Sequence, residues 1–186
     1  MKKHILGQVA LVLALATASP LISAPQAEAA TASEIRSSSE AALTSLYNQN
    51  SVARSLGSRA KGILVFPEIT KGGIGIGGSY GEGTLFVGGK SVGYYSVGSG
   101  SLGLTLGAQS FSQVIMFMSQ DALDKFRNSK GWEAGVDGSV VAIDEGKAAS
   151  YDTTKANDPV VGFTFGQQGL MFDASFKGAK YTRIRR

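Results

Sequence analysis

The stretch Gly72–Ser110 reads GGIGIGGSYG EGTLFVGGKS VGYYSVGSGS LGLTLGAQS and holds 14 of the chain's 25 glycines. Ile74 and Ile76 alternate with Gly73, Gly75 and Gly77, and Leu102, Leu104 and Leu106 alternate with Ser101, Gly103 and Thr105. A period of two is the pattern of strands with one buried face. Gly88-Gly89, between Thr84–Val87 and Ser91–Val97, is a hairpin turn signal. Glycine weakens a strand interior, so this many implies strong bending or close backbone approach, as in a small closed or highly coiled sheet.

Upstream of this stretch the pattern is helical. Thr31 and Glu34 have capping-box spacing, and Ile35, Leu43, Leu46 and Tyr47 fall near one helical face. Asn48-Gln49-Asn50 reads as a break, followed by a short helix from Ser51 to about Ala60 with Val52, Ala53 and Leu56 on its inner side. Ile63–Phe66 is a short apolar run, expected to be a buried strand stopped by Pro67. Downstream, Val114–Met118 has no polar alternation, which predicts a central strand covered on both faces. Ser119 then caps a helix that carries Leu123 and Phe126 inward and ends at Lys130-Gly131. Further strands are expected around Val136–Ile143, Val160–Phe165, Leu170–Phe176 and Lys180–Ile184. Turns are expected at Asp144–Gly146, Asn157–Pro159 and Gln167–Gly169. The expected class is mainly β (α+β): a glycine-rich, strongly coiled antiparallel sheet or small barrel-like fold with two or three short helices.

The first 29 residues read as a cleaved export signal. Lys2, Lys3 and His4 precede an apolar run from Ile5 to Ala18, and Ala27-Glu28-Ala29 offers small residues where a signal peptidase cuts. A spanning helix needs about 20 apolar residues, and this run is shorter. Residues 30–186 then form one domain, exported to the periplasm or beyond. Without Lys2, Lys3 and Glu28 the chain keeps 16 basic and 13 acidic residues; Lys177–Arg186 alone holds five basic residues and no acid. A near-neutral body with a basic tail argues against a general nucleic-acid binder and for a local anionic contact. The chain has no cysteine, and its one histidine, His4, falls in the leader. Disulfides, a Ser-His-Asp triad, a Cys-His pair and the usual zinc site are therefore excluded from the mature domain.

Several spacings imitate chemistry. Gly77–Gly81 matches the G-x-S-x-G nucleophile elbow, but no histidine or following helix accompanies it. Gly73, Gly75 and Gly78 have dinucleotide-fingerprint spacing without the helix that motif opens. Gly89-Lys90-Ser91 ends like a P-loop, yet Thr84 stands where its first glycine belongs. Ser58 and Lys61 have the spacing of a serine–lysine acylase without its partner motifs, and read as polar helix positions. Asp144-Glu145 and Asp121/Asp124 lack the alternating oxygen ligands of a calcium loop. No acidic pair stands out for a carboxylate-only glycosidase. The expectation is a binding protein, with no enzyme chemistry, cofactor or metal.

Ala60-Lys61-Gly62-Ile63-Leu64-Val65-Phe66-Pro67, then Lys71-Gly72-Gly73 and Gly77–Gly83, resembles the SYLF domain. Gly103–Gln109 before the Val114–Met118 strand, and Gly169-Leu170-Met171-Phe172, continue the resemblance, which covers roughly residues 38–184. It implies phospholipid binding. Eukaryotic members are associated with phosphoinositide membranes and, in fungi, with actin regulation; bacterial members are exported. The actin role does not carry over to an exported chain, whereas contact with anionic phospholipid does. The residues expected to make it are Arg54, Arg59, Lys61 and Lys71 on the N-terminal side, and Lys177, Lys180, Arg183, Arg185 and Arg186 in the tail, with Tyr181 and Ile184 as interfacial anchors. The alternatives are a solvated, frayed tail on a structural or protein-binding domain, and an eight-stranded outer-membrane barrel.

Overall fold

The structure, a computed structural model, describes residues 30–143, 157–168 and 176–186. The expected leader, the turn at Asp144–Gly146 and residues 170–175 of the expected strand lie outside them.

Helix α1 (Ala32–Gln49) begins as its sequence dictates. The Thr31 hydroxyl accepts from the Glu34 N–H, and the Glu34 carboxylate accepts from the Thr31 N–H over 2.7 Å. Those bonds to Thr31 hold the Glu34 carboxyl below the ordinary carboxylate range. Asn50 ends α1 and caps α2 (Ser51–Gly57), which closes three residues earlier than its pattern suggested.

Two long strands dominate. β1 (Gly62–Val87) and β2 (Lys90–Phe117) form one antiparallel hairpin closed at Gly88-Gly89, where φ is 57° and 75°. Those angles are the left-handed pair that the turn requires, and glycine supplies them without a Cβ penalty. Pro67 does not stop the strand. It sits at a register shift between Phe66 and Ile69, where a missing N–H breaks no ladder bond, and its carbonyl accepts from the Ser112 hydroxyl over 2.7 Å.

After β2, Ser119 caps α3 (Gln120–Asn128), and Ser129 rather than Lys130 ends it. The expected strand over Val136–Ile143 is shorter: β3 (Trp132–Glu133) precedes a turn, and β4 (Val141–Ile143) follows it. β5 (Val160–Gln168) and β6 (Lys180–Ile184) complete the set, so Gln167 and Gln168 extend a strand instead of turning. The order is β3-β6-β2-β5-β4, with β1 on β2, in a strongly curled half-barrel. Among the described strands, β1–β2, β2–β5, β2–β6 and β3–β6 pair antiparallel, and β4 pairs with β5 in parallel.

Each face of the sheet carries a core cluster. One carries Phe66, Phe117 and Tyr181 against Phe126 of α3 and Trp132. The other carries Val65, Val114, Met116 and Phe163 against Leu46 of α1 and Ala53 and Leu56 of α2. Burying such side chains is worth about 1.5–3 kcal/mol each. A membrane barrel would turn one of these faces to lipid; here helices occupy it, so the barrel alternative finds no support. Among the described residues no helix is long and apolar enough to cross a membrane.

Candidate anion-binding cleft

β6 sets the site. Its Tyr181 is fully buried, packs against Phe66 and Trp132 at 5.6 and 5.8 Å, and donates its hydroxyl to Gln113 Oε1 over 2.9 Å. That anchor fixes the register Tyr95↔Arg183 and Tyr94↔Ile184 against β2. Arg183 therefore leaves the sheet at a determined place, and Arg185 and Arg186 follow it past the strand end. Lys180–Ile184 of the tail is a paired strand, and Tyr181 is a core residue rather than an interfacial anchor.

An open cleft of about 880 Å³ lies where this end of β6 meets the start of β2 and the first turns of α1. Arg36, Arg183, Arg185 and Arg186 line it, together with Ser91 and Tyr94. Gly93 lies beneath Arg183: a Cβ there would sit 3.5 Å from the guanidinium Nε. The charge of Arg183 reaches the phenol of Tyr95, which burial pushes up and which Arg183 and Arg127 partly pull back.

One carboxylate enters this basic group. Arg186 forks onto Glu82 of β1, Nε to Oε2 at 3.2 Å and Nη2 to Oε1. The two side chains are 23% and 15% exposed, so solvent screens this pair less than a surface ion pair. Glu82 Oε1 also accepts from the Tyr80 hydroxyl at 2.7 Å, and that bond raises the Tyr80 phenol above its ordinary value. Among the described residues, Arg186 alone of the four arginines has a carboxylate partner.

Guanidinium forks beside two hydroxyls form a donor-rich lining suited to oxyanions, because planar N–H pairs match carboxylate and phosphate oxygens. Three of the nine sequence-predicted cations meet here. The rest stand elsewhere: Arg54 donates to the Tyr47 carbonyl at 2.5 Å, and exposed Arg59 and Lys61 flank the start of β1. Lys71 lies within β1 opposite Gln109, Lys177 occupies a turn near Gly135, and Lys180 faces Glu133 in register. Arg36, Ser91 and Tyr94 were not expected. A solvent-facing helical arginine carries no sequence signal that it will face a strand far along the chain. A second concavity, of about 550 Å³, has the opposite sign, with Asp121, Asp124 and Asp137 around Trp132 and an Asp121–Lys125 pair at 2.9 Å. Among the described residues no group of acidic side chains is arranged to hold a metal ion.

Residues 98–185 match the family described as Las17-binding protein actin regulator, Ysc84. That span holds β5 and β6 with Arg183 and Arg185, while Arg36, Ser91 and Tyr94 precede it. The chain is also 30% identical over 149 residues to Beta cell expansion factor A of Aeromonas veronii, a match covering 79% of this chain and 55% of the relative. The chain thus spans about half the length of that relative. Over residues 98–185 the chain therefore matches the SYLF family, whose domains are of the lipid-binding or actin-regulator-like kind.

Proposed function

We propose that the protein is an exported lipid-binding module that meets anionic phospholipid membrane peripherally, through basic segments among which the arginine cleft is foremost. The observation that carries this reading is the gathering of Arg36 with Arg183, Arg185 and Arg186 in one open concavity. A basic side chain near an anionic surface contributes roughly 1 kcal/mol, so Arg36, Arg183 and Arg185, which have no carboxylate partner among the described residues, supply about 3 kcal/mol together. Export rests on the leader-like residues 1–29, lipid binding on the family's kind, and the anionic preference on the arginines alone.

Co-sedimentation with vesicles of graded anionic content tests the reading. Binding rises with the anionic fraction and falls with salt, because the Debye length shrinks from about 10 Å at 0.1 M to about 3 Å at 1 M. Equal binding to neutral and anionic vesicles would refute electrostatic contact. A fraction that resists alkaline carbonate washing would refute a peripheral mode.

A further inference from the structure

Among the described residues, Glu82 is the one acid side chain paired with an arginine of the cleft, and it holds Arg186 with both oxygens. We propose that Glu82 is a resident counter-anion: the cleft is a discrete one-to-one site for a phosphate-bearing ligand, whose phosphate displaces the Glu82 carboxylate from Arg186. This rests on the anion-binding reading above and adds its stoichiometry and its control.

Three features make the exchange feasible. The fork of Arg186 on Glu82 is the two-point geometry that a guanidinium offers a phosphate, so the arginine need not be rebuilt to accept one. When Arg186 leaves, Glu82 keeps the Tyr80 hydroxyl as a donor at 2.7 Å, so the carboxylate is not stranded. Arg36, Arg183 and Arg185 line the same cleft and have no carboxylate partner among the described residues, so an incoming anion meets more positive charge than Glu82 satisfies.

The exchange also selects its ligand. A carboxylate carries one charge on two oxygens, whereas a phosphate monoester carries roughly −1.5 to −2 on three. A dianionic phosphate therefore outcompetes Glu82 where a singly charged diester or carboxylate gains little. At about 880 Å³ the cleft has room for far more than one phosphate, so the group arrives attached to something larger or as a condensed phosphate. A lipid headgroup and a soluble phosphate share this chemistry, and the experiment separates them.

Calorimetric titration of the protein with inorganic pyrophosphate reads the site directly. The parent binds with one-to-one stoichiometry. Glu82→Gln, which keeps the side-chain shape and removes the competing charge, binds about tenfold tighter. Arg183→Ser binds at least tenfold weaker. Tyr80→Phe removes the second partner of Glu82, leaves the carboxylate on Arg186 and weakens binding severalfold. Melting curves of each variant confirm that affinity is compared between folded proteins. Unchanged or weaker binding by Glu82→Gln, with Tyr80→Phe equal to the parent, overturns the counter-anion role.

A parallel arm uses phosphatidylcholine vesicles containing either phosphatidic acid, a monoester, or phosphatidylglycerol, a diester. Preference for phosphatidic acid that grows in Glu82→Gln assigns the site to a headgroup. Equal binding to both vesicles with no pyrophosphate binding overturns the discrete site and leaves the peripheral membrane reading standing. Pyrophosphate binding with the Glu82→Gln gain, but no vesicle binding, supports the site for a soluble phosphate and removes the lipid reading.

Discussion

The hydroxyl of Tyr181 sits in the apolar interior with a single acceptor, Gln113 Oε1 at 2.9 Å. Burial pushes this phenol far above its ordinary value of 10.0. A raised phenol stays protonated in the fold while its unfolded counterpart ionises, so its contribution is fully present below pH 10 and is lost as pH rises above it. Tyr181→Phe therefore has two separable effects. At neutral pH it lowers stability by about 1–3 kcal/mol, because Gln113 loses a buried partner. Above about pH 10 the alkaline decline becomes shallower, although Tyr47 and Tyr95, whose phenols burial also raises, keep part of it. Urea unfolding of parent and variant across that range checks both; an unchanged alkaline slope would place the sensitivity elsewhere. From sequence, Tyr181 among the five cations of the tail reads as an interfacial anchor. Charge density along the tail hid the fact that β6 is paired on both edges, by β2 and β3, which draws its one aromatic residue into the core.

In the β1–β2 hairpin, the glycines divide into those that permit contact and those that do not. A Cβ on Gly83 would lie 2.2 Å from the Val65 carbonyl oxygen, and one on Gly81 would lie 2.6 Å from that of Glu68. β1 curls until its last third rests on its own beginning, and Ser39 of α1 bonds both parts, Val65 O and Thr84 Oγ1, at 3.2 Å. Backbone cannot yield as a side-chain tip can, so Gly83→Ala costs about 3 kcal/mol or more. Gly100, with open space at its Cβ, is the control, and Gly100→Ala leaves stability unchanged or slightly raised. Paired melting curves decide; equal losses at the two positions would mean that glycine serves chain freedom rather than close approach. Close approach was legible in the density of glycine, as the hairpin turn was in Gly88-Gly89. The continuity of β1 through Pro67 was not, because whether a proline ends a strand depends on a bulge that only the partner strand fixes. The parallel β4–β5 pair was equally hidden, since three residues of strand carry too little pattern to reveal direction.

Across the whole molecule, the sequence reveals how many cations there are but not which of them meet. Arg183, Arg185 and Arg186 are visible as a run, yet their partner Arg36 enters only through the packing of α1 on the curled sheet, and Glu82 through the return of the tail to β1. Contact made by a focused cleft and contact made by diffuse positive charge predict different responses to mutation. Replacing Arg36, Arg183 and Arg185 by Ser removes the cleft's unpaired charge and weakens binding to anionic vesicles by about 3 kcal/mol, roughly two orders of magnitude. Lys61 and Lys180 are as exposed and line no part of the cleft. Replacing both by Ser would cost about 2 kcal/mol if every cation contributed equally to a diffuse field. With the cleft as the contact, their loss changes affinity by less than about 0.5 kcal/mol, as exposed substitutions away from a site do. All five side chains are solvent-facing, so the fold survives both sets, and a melting curve verifies it. Titration of both variants against the same vesicles at low and high salt gives the answer. If the lysine pair weakens binding as much per residue as the arginine triple, the membrane is met by the whole basic surface and the cleft holds no privileged place on it.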